Sequence, residues 1–204
     1  MSKPFLGAGY GAFCLEHQDI TLELVLCEHG ESFEVLEGGD VDIIMTAVLD
    51  MKDTQGYCFS YLYEDGFGAL MHRSHRLAEC GSLSLDDLTG ERIGVMESRH
   101  SLMISPFVVN ELEERGLGKP VRLPAADINS IPVVAAADVS NVVIVPLHLR
   151  LLYDNVEQVV VPLRDGRLKQ TICMLWKPER ESPALLDLVE SMKREAARSV
   201  AERA

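Results

Sequence analysis

An α/β fold is what this sequence predicts, and three observations carry that reading. Helix-spaced and strand-spaced apolar patterns alternate along the chain. Between them stand the glycines, prolines, serines and asparagines that open helices and close strands. The 204 residues, 47% hydrophobic and 25% charged, can bury a core as one large domain or two small lobes.

Taken in order, residues 5–17 place Leu6, Tyr10, Phe13 and His17 at helical spacing. Gly7, Gly9 and Gly11 lower the intrinsic propensity there, so packing has to hold the helix. Ile20, Leu22, Leu24 and Leu26 alternate with Thr21, Glu23 and Val25, which predicts a strand over 20–26. Ser32 is the expected N-cap of a short helix ending at Gly38 and Gly39, and residues 41–45 read as a short apolar strand. Strand-like segments follow at 57–63 and 67–71. Ser84 and Asp87 have capping-box spacing for a single helical turn, stopped by Gly90. Residues 93–96 read as a strand entering a helix over about 101–115, closed by Gly116.

A strand near 121–123 comes next. Ser130 and Pro132 open a helix over 133–138 that runs into a buried strand, 142–145, closed by Pro146. Two further strands, 156–161 and 170–176, precede a last helix capped by Ser182. Pro183 takes its first position, and Leu185, Leu186, Leu188, Val189 and Met192 form its apolar face. This alternation predicts largely parallel sheets.

Several function classes are excluded. The formal net charge is −13, and the most basic stretch, 193–203, also carries Glu195 and Glu202. A polyanion would find no basic patch on this chain. No apolar run reaches the roughly 18 residues that span a bilayer. The first ten residues lack the length and cleavage pattern of a secretion signal, so a cytoplasmic location is expected. Cys14, Cys27, Cys58, Cys80 and Cys173 are scattered and include no C-x-x-C pair. Reduced thiols are therefore expected, and no metal site; Cys27 and His29 lack further ligands.

No Gly-x-Ser-x-Gly elbow and no phosphate loop occurs, and Gly7-Ala-Gly9-Tyr-Gly11 lies inside a helix rather than after a strand. Acidic pairs such as Asp86-Asp87 and Glu113-Glu114 sit on polar turns and helix faces, where solvation explains them. His72 and His75 form a pair without a third partner. The chain is expected to have no catalytic residues and no cofactor.

Four stretches, in this order, carry a resemblance. They are 13–24, a phenylalanine-ended helix leading to an alternating strand; 36–44, Leu-Glu-Gly-Gly-Asp-Val-Asp-Ile-Ile; His75-Arg-Leu-Ala78 followed by Leu83-Ser-Leu-Asp-Asp-Leu88; and Val133-Val-Ala-Ala-Ala137 through Ile144-Val-Pro146. Their order and separations resemble the effector-binding domain of LysR-type transcriptional regulators over nearly the whole chain.

The resemblance implies the periplasmic-binding-protein type 2 fold, two Rossmann-like lobes joined by two crossover strands. Lobe 1 is expected at 1–84 plus 165–204 and lobe 2 at 85–164, with crossings near 80–92 and 162–169. The family's winged helix-turn-helix and linker helix are absent from the sequence. Its first strand, central in lobe 1, is also missing, so that lobe needs another strand or suffers. Asn141 stands where the family has a glycine, and asparagine tolerates a left-handed backbone there.

Ligands in such folds bind outside the carboxyl ends of parallel strands, near helix amino termini whose free N–H groups attract anions. In the implied two-lobed fold, this places the site in the inter-lobe cleft. Ser98, Arg99, His100 and Ser101, between a strand end and a helix start, are the leading ligand-binding candidates. Plain helix capping by Ser98 or Ser101, with a solvated Arg99, is the alternative. In the family's peroxide-sensing branch a cysteine matches Ser101, so thiol-based sensing is not expected. Thr46 at a strand end, Asn129 before a helix, and Ser2 with Lys3 at the start of the first helix complete the set.

The function implied is ligand sensing. A small, anionic metabolite would modulate DNA binding through rearrangement of a homodimer or tetramer, with DNA touched only through a winged helix-turn-helix and no membrane involved. Tyr10, Phe13, Val25 and Phe33 are expected near the pairing surface. A stand-alone solute-binding protein of a transport system is the alternative, disfavoured by the missing signal.

Overall fold

The computed structural model describes residues 3–27, 31–96, 104–123 and 129–201. In chain order the elements are α1 (Lys3–Glu16), α2 (Ser32–Gly38), β1 (Ile43–Val48), β2 (Cys58–His72), β3 (Arg92–Met96), α3 (Ile104–Glu114), β4 (Val121–Leu123), α4 (Ile131–Ala136), β5 (Asn141–Pro146), α5 (Arg150–Tyr153), β6 (Gln158–Pro162), β7 (Lys169–Trp176) and α6 (Pro183–Ala201). Met1–Glu64 with Gln170–Ala204 form one compact unit, and Asp65–Lys169 form the other. The chain enters the second unit inside β2 and leaves it at the start of β7. Residues 65–84 and 165–169, expected in lobe 1, thus fall in the second unit.

In the first unit β1 pairs antiparallel with β7, Ile43 opposite Trp176 and Val48 opposite Thr171, and β2 is the other neighbour of β7. Strand alternation sends residues to two cores. Ile43, Met45, Met174 and Trp176 pack with α1 and α6 around Phe13, Leu188 and Met192. Ile44, Val48, Cys173 and Leu175 pack instead with Leu36 of α2. The glycines of α1 have a use here. A Cβ on Gly9 would stand 2.6 Å from Met192 Sδ and 3.3 Å from Met192 Cα, so its absence lets α1 lie close on α6. Ser191 Oγ donates to Gly9 O at 3.1 Å across the same contact. Gly39, at φ 79°, closes α2 with N–H bonds back to the helix carbonyls.

The second unit holds strands in the order β6-β2-β5-β3-β4. β3 runs parallel to β4 and to β5, while β2 runs antiparallel to both β5 and β6. One face packs on α3 through Phe67, Ile144, Val108 and Leu112. The other packs on α4 and α5 through Val143, Val145, Ile131, Ala135 and Tyr153.

Several expectations are corrected. Residues 20–26 form no strand; they run as unpaired coil. A strand needs a hydrogen-bonded neighbour, and among the described residues the only strand paired with β1 is β7. Ile20 and Leu22 still reach the core, and Leu22 O accepts from Tyr10 Oη at 3.1 Å, but Leu24 and Leu26 are 59% and 81% exposed. The sheets are mixed, since three of the five registered strand pairs are antiparallel.

The segments at 57–63 and 67–71 are one strand, β2, because Gly66 continues the extended backbone. Glu31, not Ser32, is the N-cap of α2, and Ser32 is buried inside its first turn. Phe13 is 1% exposed and stacks on His17, so it belongs to the core and not to a pairing surface. Leu186 is exposed on α6. Asn141 has no left-handed backbone; it starts β5, buried, and its Nδ2 donates to Ala135 O at 3.4 Å.

Two other expected caps are present. Ser84 and Asp87 form the capping box, and Leu185 N–H donates to Ser182 Oγ at 3.2 Å. None of the described helices is long and apolar enough to cross a membrane.

Candidate functional site

Parallel strands end together. In the second unit Gly94 of β3 lies opposite Val143 of β5, and Met96 lies opposite Leu123 of β4. The chain therefore leaves three adjacent carboxyl ends, after Met96, Leu123 and Pro146. Those exits lead to 97–103, to 124–128 and to the turn Leu147–Leu149. This rim is where a doubly wound sheet places a ligand.

Ser98, Arg99, His100 and Ser101 leave from the first exit but lie outside the described residues, as does Ser2. Asn129 is exposed in the turn that precedes α4. Lys3 begins α1. Thr46 belongs to the first unit and is not at a strand end, because β1 continues to Val48. It is buried opposite Cys173, with its hydroxyl 3.4 Å from that of Ser32.

The rim also holds a pair that sequence reasoning missed. β2 and β5 are antiparallel with Phe67 opposite Pro146, and continuing that register by two residues sets Asp65 opposite His148. His148 Nδ1 donates to Asp65 Oδ2 at 2.7 Å, and the His148 backbone N–H donates to the same oxygen at 3.3 Å. Both side chains are nearly out of water, at 11% and 7% exposure. His148 had one available signal, its place two residues after the Ile144-Val-Pro146 turn. Asp65 had none, since only the strand register brings it near.

The opposite end of the sheet is built for stability. Asp138 accepts from Ser140 N–H and Oγ at 2.9 and 2.7 Å and from Arg92 Nη1 at 2.7 Å. The two serine bonds, with smaller help from Arg92, hold its carboxyl below the usual range. His75, far from a catalytic arrangement, is part of a buried brace. Its Nδ1 accepts from Leu77 N–H at 3.3 Å, and its Nε2 meets Glu91 at 3.0 Å. Arg76 holds the other Glu91 oxygen, with Nε at 2.7 Å. Among the described residues no group of three or more His, Cys, Asp or Glu side chains could hold a metal ion.

Residues 4–197 match the LysR substrate binding domain family. The chain belongs to that family. Its biochemical class is accordingly that of a ligand-sensing regulatory domain, and the match to regulators leaves the transport alternative without support.

The solved structures that resemble this LysR substrate binding domain agree on the fold. The BenM effector binding domain with its effector benzoate superposes at TM-score 0.79 and 20% identity, covering 96% of this chain and 87% of that one. The CcmR regulatory domain of Synechocystis PCC6803 in complex with 2-PG gives 0.75 at 15% identity, covering 95% and 91%. CbnR, a LysR family transcriptional regulator, gives 0.71 at 18%, covering 94% of this chain but 65% of CbnR. The chain thus spans about two thirds of that full-length regulator. No curated protein matches the sequence significantly. The fold is the periplasmic-binding-protein type 2 α/β fold expected from the sequence.

Proposed function

We propose that this domain binds a small anionic metabolite at the carboxyl-end rim of its second unit, with Ser98, Arg99, His100, Ser101 and Asn129 supplying contacts, and releases it unchanged. The family match over 4–197 is the observation that carries this reading. Two similar domains were solved with small molecules, one of them the carboxylate benzoate. Three strand ends meet at the rim, and helix amino termini that follow such strand ends carry, as a general rule, backbone N–H groups that attract an anion.

Binding changes gene expression only if the ligand has different affinity for two arrangements of the protein. We assign those arrangements to a homodimer or tetramer in the cytoplasm. DNA is contacted through a winged helix-turn-helix outside these 204 residues, since a net charge of −13 repels phosphate.

The test is a thermal-shift screen of small carboxylates, followed by chromatography of the bound ligand. Stabilisation by one of them with the ligand recovered intact is the expected result. A product formed from the ligand would refute a purely sensory role.

A further inference from the structure

We propose that the outer edge of β1 is a docking site for an extended, basic segment of another protein, which pairs with β1 as an added strand. This surface belongs to the first unit and does not depend on effector binding at the rim of the second.

β1 ends its sheet bare. Its only strand partner among the described residues is β7, and its sequence, Ile43-Ile-Met-Thr-Ala-Val48, includes no charge, proline or glycine. Strand edges are usually blunted by such residues, because unpaired N–H and C=O groups recruit another strand. One edge strand of the second unit, β4, is blunted in this way, with Lys119 and Pro120 before it and Arg122 within it.

The face beside that edge is half open. Trp176, Met174 and Ile172 of β7 are buried against α1 and α6, whereas their partners across the register, Ile43, Met45 and Ala47, are only half-buried. An added strand with apolar side chains at every second position completes that cover. Thr46 lies on the opposite face with Ile44 and Val48 and keeps its contact with Ser32. Ile20 and Leu22 pack on the same core as Ile43 and Met45, while the alternating segment 20–26 belongs to no strand. A strand set on β1 gives that segment the neighbour it lacks.

Charge names the partner. Residues 1–50 hold ten acidic side chains and one lysine or arginine, Lys3. Asp40 and Asp42 precede β1, Asp50 follows it, and Asp19 and Glu23 stand beside Ile20 and Leu22, all of them exposed. Arg180 and Lys52 answer only Asp42 and Asp50 among these five. A segment that alternates apolar residues with lysine or arginine is attracted there, and a second copy of this acidic chain is repelled. The occupant is polypeptide, since a backbone repeats donors and acceptors at strand spacing.

The full chain is titrated by calorimetry with the end-blocked peptide Lys-Val-Arg-Val-Arg-Val-Lys, and amide exchange is followed by mass spectrometry. Binding, with exchange over 43–48 slowed by about tenfold or more, is the expected result. The same residues without alternation, Val-Val-Val-Lys-Arg-Arg-Lys, and the acidic Glu-Val-Glu-Val-Glu-Val-Glu should each bind about tenfold more weakly. Two N-methylated forms, one methylated on the valines and one on the basic residues, separate backbone pairing from charge attraction. At least one of them should lose about tenfold in affinity. No binding at millimolar peptide, a bound peptide that leaves exchange over 43–48 unchanged, a control that binds equally well, or full affinity in both methylated forms overturns the proposal. Slow exchange over 43–48 that grows with protein concentration in the absence of peptide also overturns it, by showing that a second copy takes the edge.

Discussion

Tyr57 donates its phenolic proton to Glu37 Oε1 at 2.5 Å, joining the turn before β2 to the last turn of α2. Lys177 secures the same residue twice, with Nζ 2.9 Å from Glu37 Oε2 and 2.9 Å from its backbone oxygen. The hydrogen bond to Glu37, with some burial, pushes the Tyr57 hydroxyl up to about 12. Bonds from Tyr57 and then Lys177 hold the Glu37 carboxyl below its usual range.

These shifts give opposite pH signs. Glu37, depressed, contributes stability that is complete above its unfolded value and lost as pH falls through its lowered one. Tyr57, raised, contributes stability that is complete below about 10 and lost as pH climbs toward 12. Calorimetric melting of wild type and Tyr57→Phe should therefore differ most between the carboxylate and phenol ranges, by roughly 2–4 °C. The two melting temperatures should converge at both extremes. A constant difference across pH would refute the coupling.

Gly9 sets the spacing of α1 on α6. Gly9→Val should destabilise by about 1–3 kcal/mol in urea unfolding, because Met192 Cα is backbone and cannot step aside. Gly9→Ala should cost less, since its gain in helix propensity of roughly 1 kcal/mol offsets part of the overlap. A valine variant as stable as wild type would mean that the helices are not in close contact.

Glu91 carries more than its exposed partner Arg76. His75 and Glu91 are both largely buried, whereas Arg76 is mostly in water. Removing Glu91 as Glu91→Ala leaves a buried imidazole without its acceptor and should cost about 3 kcal/mol. Arg76→Ala should cost less than about 1 kcal/mol. Equal losses in chemical denaturation would contradict this ranking.

Ser182 caps α6 through its bond to Leu185 N–H. Ser182→Ala should cost about 1 kcal/mol, and Ser182→Asp should restore most of it. An alanine variant with unchanged thermal stability would show that the packed face of α6 alone fixes its start.

Much of the fold was legible because it depends on neighbours in sequence. The capping box at Ser84 and Asp87, the Ser182 cap and the apolar run of β5 are each written within a few residues. The site was legible only in part. Residues 98–101 follow a strand that periodicity could find, whereas the Asp65–His148 pair spans 83 positions.

By itself the sequence determined the order and kind of nearly every element, the acidic character of the chain and its family, since periodicity, caps and composition are local properties. Tertiary structure alone decided three things. It left 20–26 as coil in spite of a strand-like alternation, because backbone groups pair only with a neighbour that is present. It made β2 one strand running antiparallel to β5 and β6, because pairing direction follows where the chain returns and not which residues compose it. It also set a carboxylate against an imidazole at the rim, because register between distant strands arises only when the sheet closes on its core.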